Sequence, residues 1–118
     1  FTDDTGKRGE QVAADHLLGL GYRILHRGYR AAGGEIDLVA AADGCCVFVE
    51  VKTKECGSGD PESRVRSRKR RTLIRCARQF AARHEDPETE FRFDVIAVDL
   101  SLGTSGVEHI EDAFSADL

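Results

Sequence analysis

The chain has 118 residues, 41% of them hydrophobic and 32% charged, with 17 lysines and arginines against 21 aspartates and glutamates and a net charge of −4. That length fits one domain, 1–118, with a core that needs no staples, and the composition excludes a disordered chain. No apolar run approaches a membrane span, and the opening FTDDTGKRGE lacks a signal-peptide pattern, although Phe1 in place of Met suggests a trimmed start.

In chain order, the spacing predicts a helix over 6–20, where Val12, Ala13, His16, Leu17 and Leu20 form one face and Gly21 supplies the C′ residue. Glu10 borders that apolar stripe, an odd place for a carboxylate, although a first-turn glutamate suits the helix dipole. A strand follows at 22–30, interrupted by Gly28. Strands at 35–41 and 45–53 are joined through Asp43-Gly44, a strong hairpin signal. The Gly-rich stretch 55–62 reads as a loop, either a flap over a site or a simple connection. A second helix runs from an N-cap at Ser67 to about His84, with Leu73, Ile74, Ala77, Phe80 and Ala81 inward. A strand at 91–100 and a short one around 107–110 complete the chain. The hairpin makes part of the sheet antiparallel, and the intervening helix allows a parallel crossover pair. The expected fold is α/β: a mixed sheet flanked by helices.

Cys45, Cys46, Cys56 and Cys76 form no CxxC pair and lie near no histidine at zinc-finger spacing. They read as reduced packing thiols of a cytoplasmic protein. Nine of the seventeen basic residues fall between Arg64 and Arg83. Such a basic face on an acidic chain is an electrostatic footprint for a polyanion. Within it, Arg68, Lys69, Arg70 and Arg71 open the second helix, and Arg75 and Arg78 continue along one side. They read as a phosphate-backbone track rather than a solvated face, because four cations beside a positive helix N-terminus are poor helix design. Few aromatics are available as stacking platforms. His16, His26, His84 and His109 lie at unmatched positions with packing or surface roles, and Asp94 suits a structural hydrogen bond.

The hairpin carries the chemistry. A two-residue turn at Asp43-Gly44 sets Ala42 opposite Cys45, hence Asp37 opposite Glu50 and Glu35 opposite Lys52. Ile36, Leu38, Val47, Val49 and Val51 fill the other face. Opposed carboxylates at this spacing repel, so a shared proton, a cation or the nearby lysine must compensate. Two carboxylates aimed at one point suit Mg²⁺, and Lys52 would then stabilise charge on a phosphate or orient water. A Glu35–Lys52 pair with Asp37 and Glu50 solvated at a sheet edge is the structural alternative.

GEIDLVA (34–40) followed by VFVEVKTK (47–54) resembles the signature of the YraN family, also called UPF0102, and nearly the whole chain takes part. GKRGE (6–10), GYRIL (21–25), RFDVIAV (92–98) and HIEDAF (109–114) continue the match. The sequence has Gly28 where that family often carries Asn. The family looks like a branch of the PD-(D/E)xK nuclease superfamily, near the archaeal Holliday-junction resolvases. The resemblance implies a restriction-endonuclease-like αβββαβ core and metal-dependent hydrolysis of phosphodiesters in DNA, including branched DNA. It implies Asp37, Glu50 and the Val51 carbonyl as ligands of Mg²⁺ or Mn²⁺, with Lys52 as the catalytic lysine and Glu10 completing the acidic cluster. Glu35 would be an outer metal contact or partner to Lys52, and Lys54 an accessory. Cutting opposed strands of a junction would call for a homodimer. The alternatives are a nuclease fold that binds nucleic acid or a repair partner without cutting, and RNA cleavage by the same residues.

Overall fold

The computed structural model describes residues 2–54 and 67–116, with the side chains of 2–4, 67–68 and 103–105 outside that description. Along the chain run α1 (Thr2–Gly19), β1 (Arg23–Ala31), β2 (Gly34–Ala42), β3 (Cys45–Lys54), α2 (Ser67–Ala82), β4 (Glu90–Asp99), a 3₁₀ segment (Leu100–Ser105) and β5 (Val107–Phe114). The sheet order is β1-β2-β3-β4-β5, with β3 and β4 parallel and every other neighbouring pair antiparallel. The expected α/β arrangement is therefore present, as an αβββαβ core with β5 added at the β4 edge. The loop expected at 55–62, Cys56 and the N-cap side chain of Ser67 lie outside the described residues.

Local chemistry explains the boundaries. At the end of α1 the Tyr22 N–H donates to the Leu17 carbonyl and the Gly21 N–H to the Leu18 carbonyl, both at 3.0 Å. With Gly21 at φ 96°, these are the paired bonds of a Schellman stop. The chain turns away there, so Leu20, expected on the buried face, is 55% exposed, and Ala14 packs inward instead. Asp43 and Gly44 take φ 51° and 77°, the two left-handed residues of a type I′ turn. The turn sets Ala42 opposite Cys45, as expected. Gly28 lies inside β1 at φ 65°, a region that glycine and asparagine enter at little cost.

Each face of the sheet buries one helix. Ala13, Ala14 and Leu17 of α1 pack on Leu38, Ala40, Val47, Val49, Val51, Ile96 and Val98. Leu73, Cys76 and Ala77 of α2 pack on Ile36, Val39, Cys46, Phe48, Phe93, Val95 and Phe114. Each fully buried aliphatic or aromatic side chain contributes about 1.5–3 kcal/mol. Ile36 corrects the expectation that it shares a face with Leu38: it packs on the α2 side while Leu38 packs on the α1 side. The strict alternation of a strand breaks at Asp37, between them.

Two glycines bring both helices close to this break. A Cβ on Gly9 would collide with the Thr53 side chain, and one on Gly34 with the Thr72 methyl. Thus α1 lies directly on β3, and α2 directly on β2. Gly9→Ala is expected to cost about 1–3 kcal/mol of unfolding free energy by overpacking. In urea titrations Thr53→Ala should recover part of that loss, because contacting sites are non-additive.

Candidate active site

The β2–β3 ladder runs from Ala42↔Cys45 to Leu38↔Val49, and Asp37 and Glu50 come next. Instead of a further backbone rung, the Val51 N–H donates to Asp37 Oδ2 at 2.8 Å. Asp37 is therefore clamped into the opening between the two strands. Glu50 is 4% exposed and stands close enough for its charge to act on the Asp37 carboxyl. Burial, then the Glu50 charge, push the Asp37 carboxyl up to about 7, against the Val51 hydrogen bond that favours its ionised form. Two ionised carboxylates offer each other no donor, so side by side they repel unless a proton or a cation intervenes. Glu50 Oε1 is a buried oxygen without a hydrogen-bond partner.

Lys52 Nζ lies 3.4 Å from Glu50 Oε2, as its position two residues along the same strand requires. Lys69, placed by its sequence in a nucleic-acid track, approaches closer, at 3.1 Å from the same oxygen. Burial pulls its ammonium pKa down, but the charge and hydrogen bond of Glu50, followed by Asp37 and Glu35, more than reverse this and leave it raised. Two cations thus hold one oxygen of Glu50 and leave the other without a donor.

Glu10 comes from α1, on the other face. Its pKa is raised by burial, then by Glu35 and Glu50, and Arg27 and Lys7 partly offset this. Glu10 and Glu35 influence the site through their fields: among the described residues, no three His, Cys, Asp or Glu side chains stand together as a ready metal cage. Glu35 does not partner Lys52. It faces Arg30 across the β1–β2 ladder, with its Oε1 3.8 Å from the guanidinium. Lys54 stands opposite Asp99 and helps the Ser101 hydroxyl keep that carboxyl below its usual range.

The basic helix divides by direction. Lys69 enters the site, and the Arg70 guanidinium carbon sits 4.8 Å from the centre of the Phe114 ring. Arg71, Arg75 and Arg78 are exposed. The Arg68 side chain lies outside the described residues.

The family model described as "Uncharacterised protein family UPF0102" matches residues 9–98, a span that includes Glu10, Asp37, Glu50, Lys52 and Lys69. The chain belongs to the UPF0102 family. It is 45% identical over 112 residues to a UPF0102 protein of Trichlorobacter lovleyi, covering 92% of this chain and 88% of that one. UPF0102 proteins of Chlorobaculum parvum and Pelobacter propionicus are 41% and 44% identical, over 92% and 94% of this chain and 90% and 82% of theirs.

This UPF0102 chain also holds a charged cluster that sequence spacing does not reveal. Asp94, 1% exposed, accepts from Arg92 Nε and Nη2, each at 2.8 Å, and from the Asp112 N–H at 3.0 Å. His109 Nε2 is 2.7 Å from Asp94 Oδ2, and His109 Nδ1 is 3.0 Å from His16 Nε2. Arg92 also donates to the Tyr22 hydroxyl at 2.8 Å. The expected structural hydrogen bond of Asp94 is thus a network joining α1, β4 and β5. His16 and His109, 93 positions apart, are partners rather than isolated rings. Burial, then the charge of His109, lower the His16 pKa.

Burial alone would raise the Asp94 pKa, but hydrogen bonds from His109, Arg92 and the Asp112 amide reverse this and leave it lowered. Its stabilisation is therefore present above the unfolded value near ~3.9 and lost as pH falls through the folded value. Asp94→Ala should cost about 3–5 kcal/mol at pH 7, because it strands Arg92 and His109. In urea unfolding the difference from the parent should shrink below about pH 4.

Proposed function

We propose that this UPF0102 protein is a metal-dependent nuclease that hydrolyses phosphodiester bonds in DNA. The observation that carries this reading is the Asp37–Glu50 pair, in which a half-buried and a buried carboxylate act on each other and one oxygen of Glu50 has no hydrogen-bond partner. The donor set fits Mg²⁺ or Mn²⁺, hard ions that take carboxylate oxygens and retain several waters, so two protein carboxylates suffice. The carbonyl of Val51 is the third oxygen expected from the family resemblance. A divalent ion held there would polarise a phosphoryl oxygen and lower the pKa of water.

The chain's own groups do the remaining work. Val51 fixes Asp37 Oδ2 through its N–H, orienting the carboxylate. Lys52 stands beside Glu50 with its ammonium positioned to stabilise charge on the scissile phosphate. Glu10 and Glu35 add negative field, favouring a cation over an empty site. Arg71 and Arg75 lie exposed on α2 beyond Lys69, where they would hold the phosphate backbone without reading bases. Opposed cuts in a four-way junction would need two copies about a two-fold axis, so a homodimer is expected on that substrate. No helix of the described residues is long and apolar enough to cross a membrane, and a nucleic-acid substrate accords with a cytoplasmic setting.

The test is incubation with labelled four-way, flap, single-stranded and duplex DNA, and with RNA, in Mn²⁺. At least one DNA should be cut, and Asp37→Ala and Lys52→Ala should each lower the rate about 10²–10³-fold. No cleavage of any substrate, or cleavage unchanged in both variants, would sink the catalytic reading. Binding that survives both variants but weakens steeply with salt would mark a non-cutting nucleic-acid module.

A further inference from the structure

At the far end of α2 from Lys69, a cavity of about 290 Å³ is lined by His26, Tyr29, Phe80, Arg83 and His84. Its volume lies at the lower end for small-molecule pockets, the scale of one flat ring system rather than an extended ligand. The walls are aromatic: Phe80 meets Tyr29 at 5.3 Å and 88°, His26 at 5.7 Å and 85°, and His84 at 6.0 Å and 32°. The rim is polar and cationic, with His26 and Arg83 exposed. The chemistry attributed to Asp37, Glu50 and Lys52 uses none of these groups.

An aromatic wall beside an exposed guanidinium matches a planar base attached to a phosphate. Charge leads to it as well: Arg71, Arg75, Arg78 and Arg83 are exposed along or just past α2. Phe80 lies eleven positions after Lys69, about 16 Å of helix at ~1.5 Å per residue. At a rise of ~3.4 Å per nucleotide, that corresponds to about five steps of a stacked strand. We infer that this cavity receives one unpaired nucleobase, about five nucleotides from the phosphate at the carboxylates, from a strand whose backbone follows the α2 arginines. The inference rests on the nucleic-acid reading above and adds selectivity for DNA with an unpaired base at that distance.

Binding without cutting tests it. In the Asp37→Ala background with EDTA, 2-aminopurine placed at successive unpaired positions of a flap should be quenched at the position entering the cavity. His26→Ala/His84→Ala, which leaves the core-packed Phe80 in place, should weaken flap binding about tenfold and leave fully paired duplex binding unchanged. Arg71→Ala/Arg75→Ala should weaken both. As a measurement independent of variant folding, 5-iodouracil at the quenched position should photocrosslink to the protein at a cavity residue. Equal flap and duplex affinities for the histidine variant and its background, no position-dependent quenching, and crosslinks elsewhere would overturn the cavity assignment while leaving the nuclease reading intact. No binding of either DNA at low salt would overturn both.

Discussion

Asp37→Asn should stabilise the metal-free protein above pH 7 and, in the same molecule, remove cleavage. The Asn carbonyl can still accept from the Val51 N–H, and its amide can donate to Glu50, so the geometry survives while the like charge is gone. The sign follows from linkage. Asp37 titrates at about 7 in the folded chain against 3.8 unfolded, so between those values the folded state holds a proton that the unfolded state has lost. Stability of the metal-free parent therefore falls as pH rises from about 4 to about 7, by an amount on the order of 2–4 kcal/mol. Urea unfolding in EDTA should show this component of the slope in the parent and its loss in Asp37→Asn. Mn²⁺ should restore stability to the parent at pH 8 and leave the variant unchanged, and cleavage by the variant should drop about 10²–10³-fold or more. A variant less stable than the parent at pH 8, or one that cuts at the parent's rate, would contradict this.

The second large effect concerns Lys69. Its ammonium lies 3.1 Å from Glu50 Oε2, so it occupies part of the electrostatic role that a metal would fill. Lys69→Gln should lower metal-free stability by about 1–2 kcal/mol. That is less than the ~3–5 kcal/mol of a fully buried broken pair, because Lys52 remains and Lys69 is half exposed. The same change leaves the site more negative, so Mn²⁺ should bind about tenfold more tightly, equivalent to about 1.4 kcal/mol. Calorimetric titration reads this directly. Weaker Mn²⁺ binding by the variant would show that Lys69 supports the cation site rather than competing with a cation.

Much of the site was legible because a two-residue turn fixes register. Asp43-Gly44 carries the pairing from Ala42↔Cys45 to Leu38↔Val49, which places Asp37 and Glu50 next in line. The departure from the ladder at Asp37 was not legible, since side-chain capture of the Val51 amide leaves no mark in a hydrophobic pattern. Lys69 is indistinguishable from its basic neighbours in the sequence, because a charge run does not say which member turns inward. The contact of Gly34 with Thr72 that seats α2 on β2 is tertiary. The same limit hid the His16–His109–Asp94 network and the aromatic cavity, whose parts come from elements distant in sequence. Helical spacing alone puts Leu20 on the buried face, because it does not register the Schellman stop that Gly21 makes.

The most direct test is the position of Mn²⁺ diffused into crystals of the protein, located by anomalous scattering. The expected result is a peak within about 2.0–2.2 Å of oxygens from both Asp37 and Glu50, with the Lys69 ammonium withdrawn from Glu50. At saturating Mn²⁺, a lysine still seated on Glu50 and no peak between the two carboxylates would contradict the assignment of this pair as the metal site.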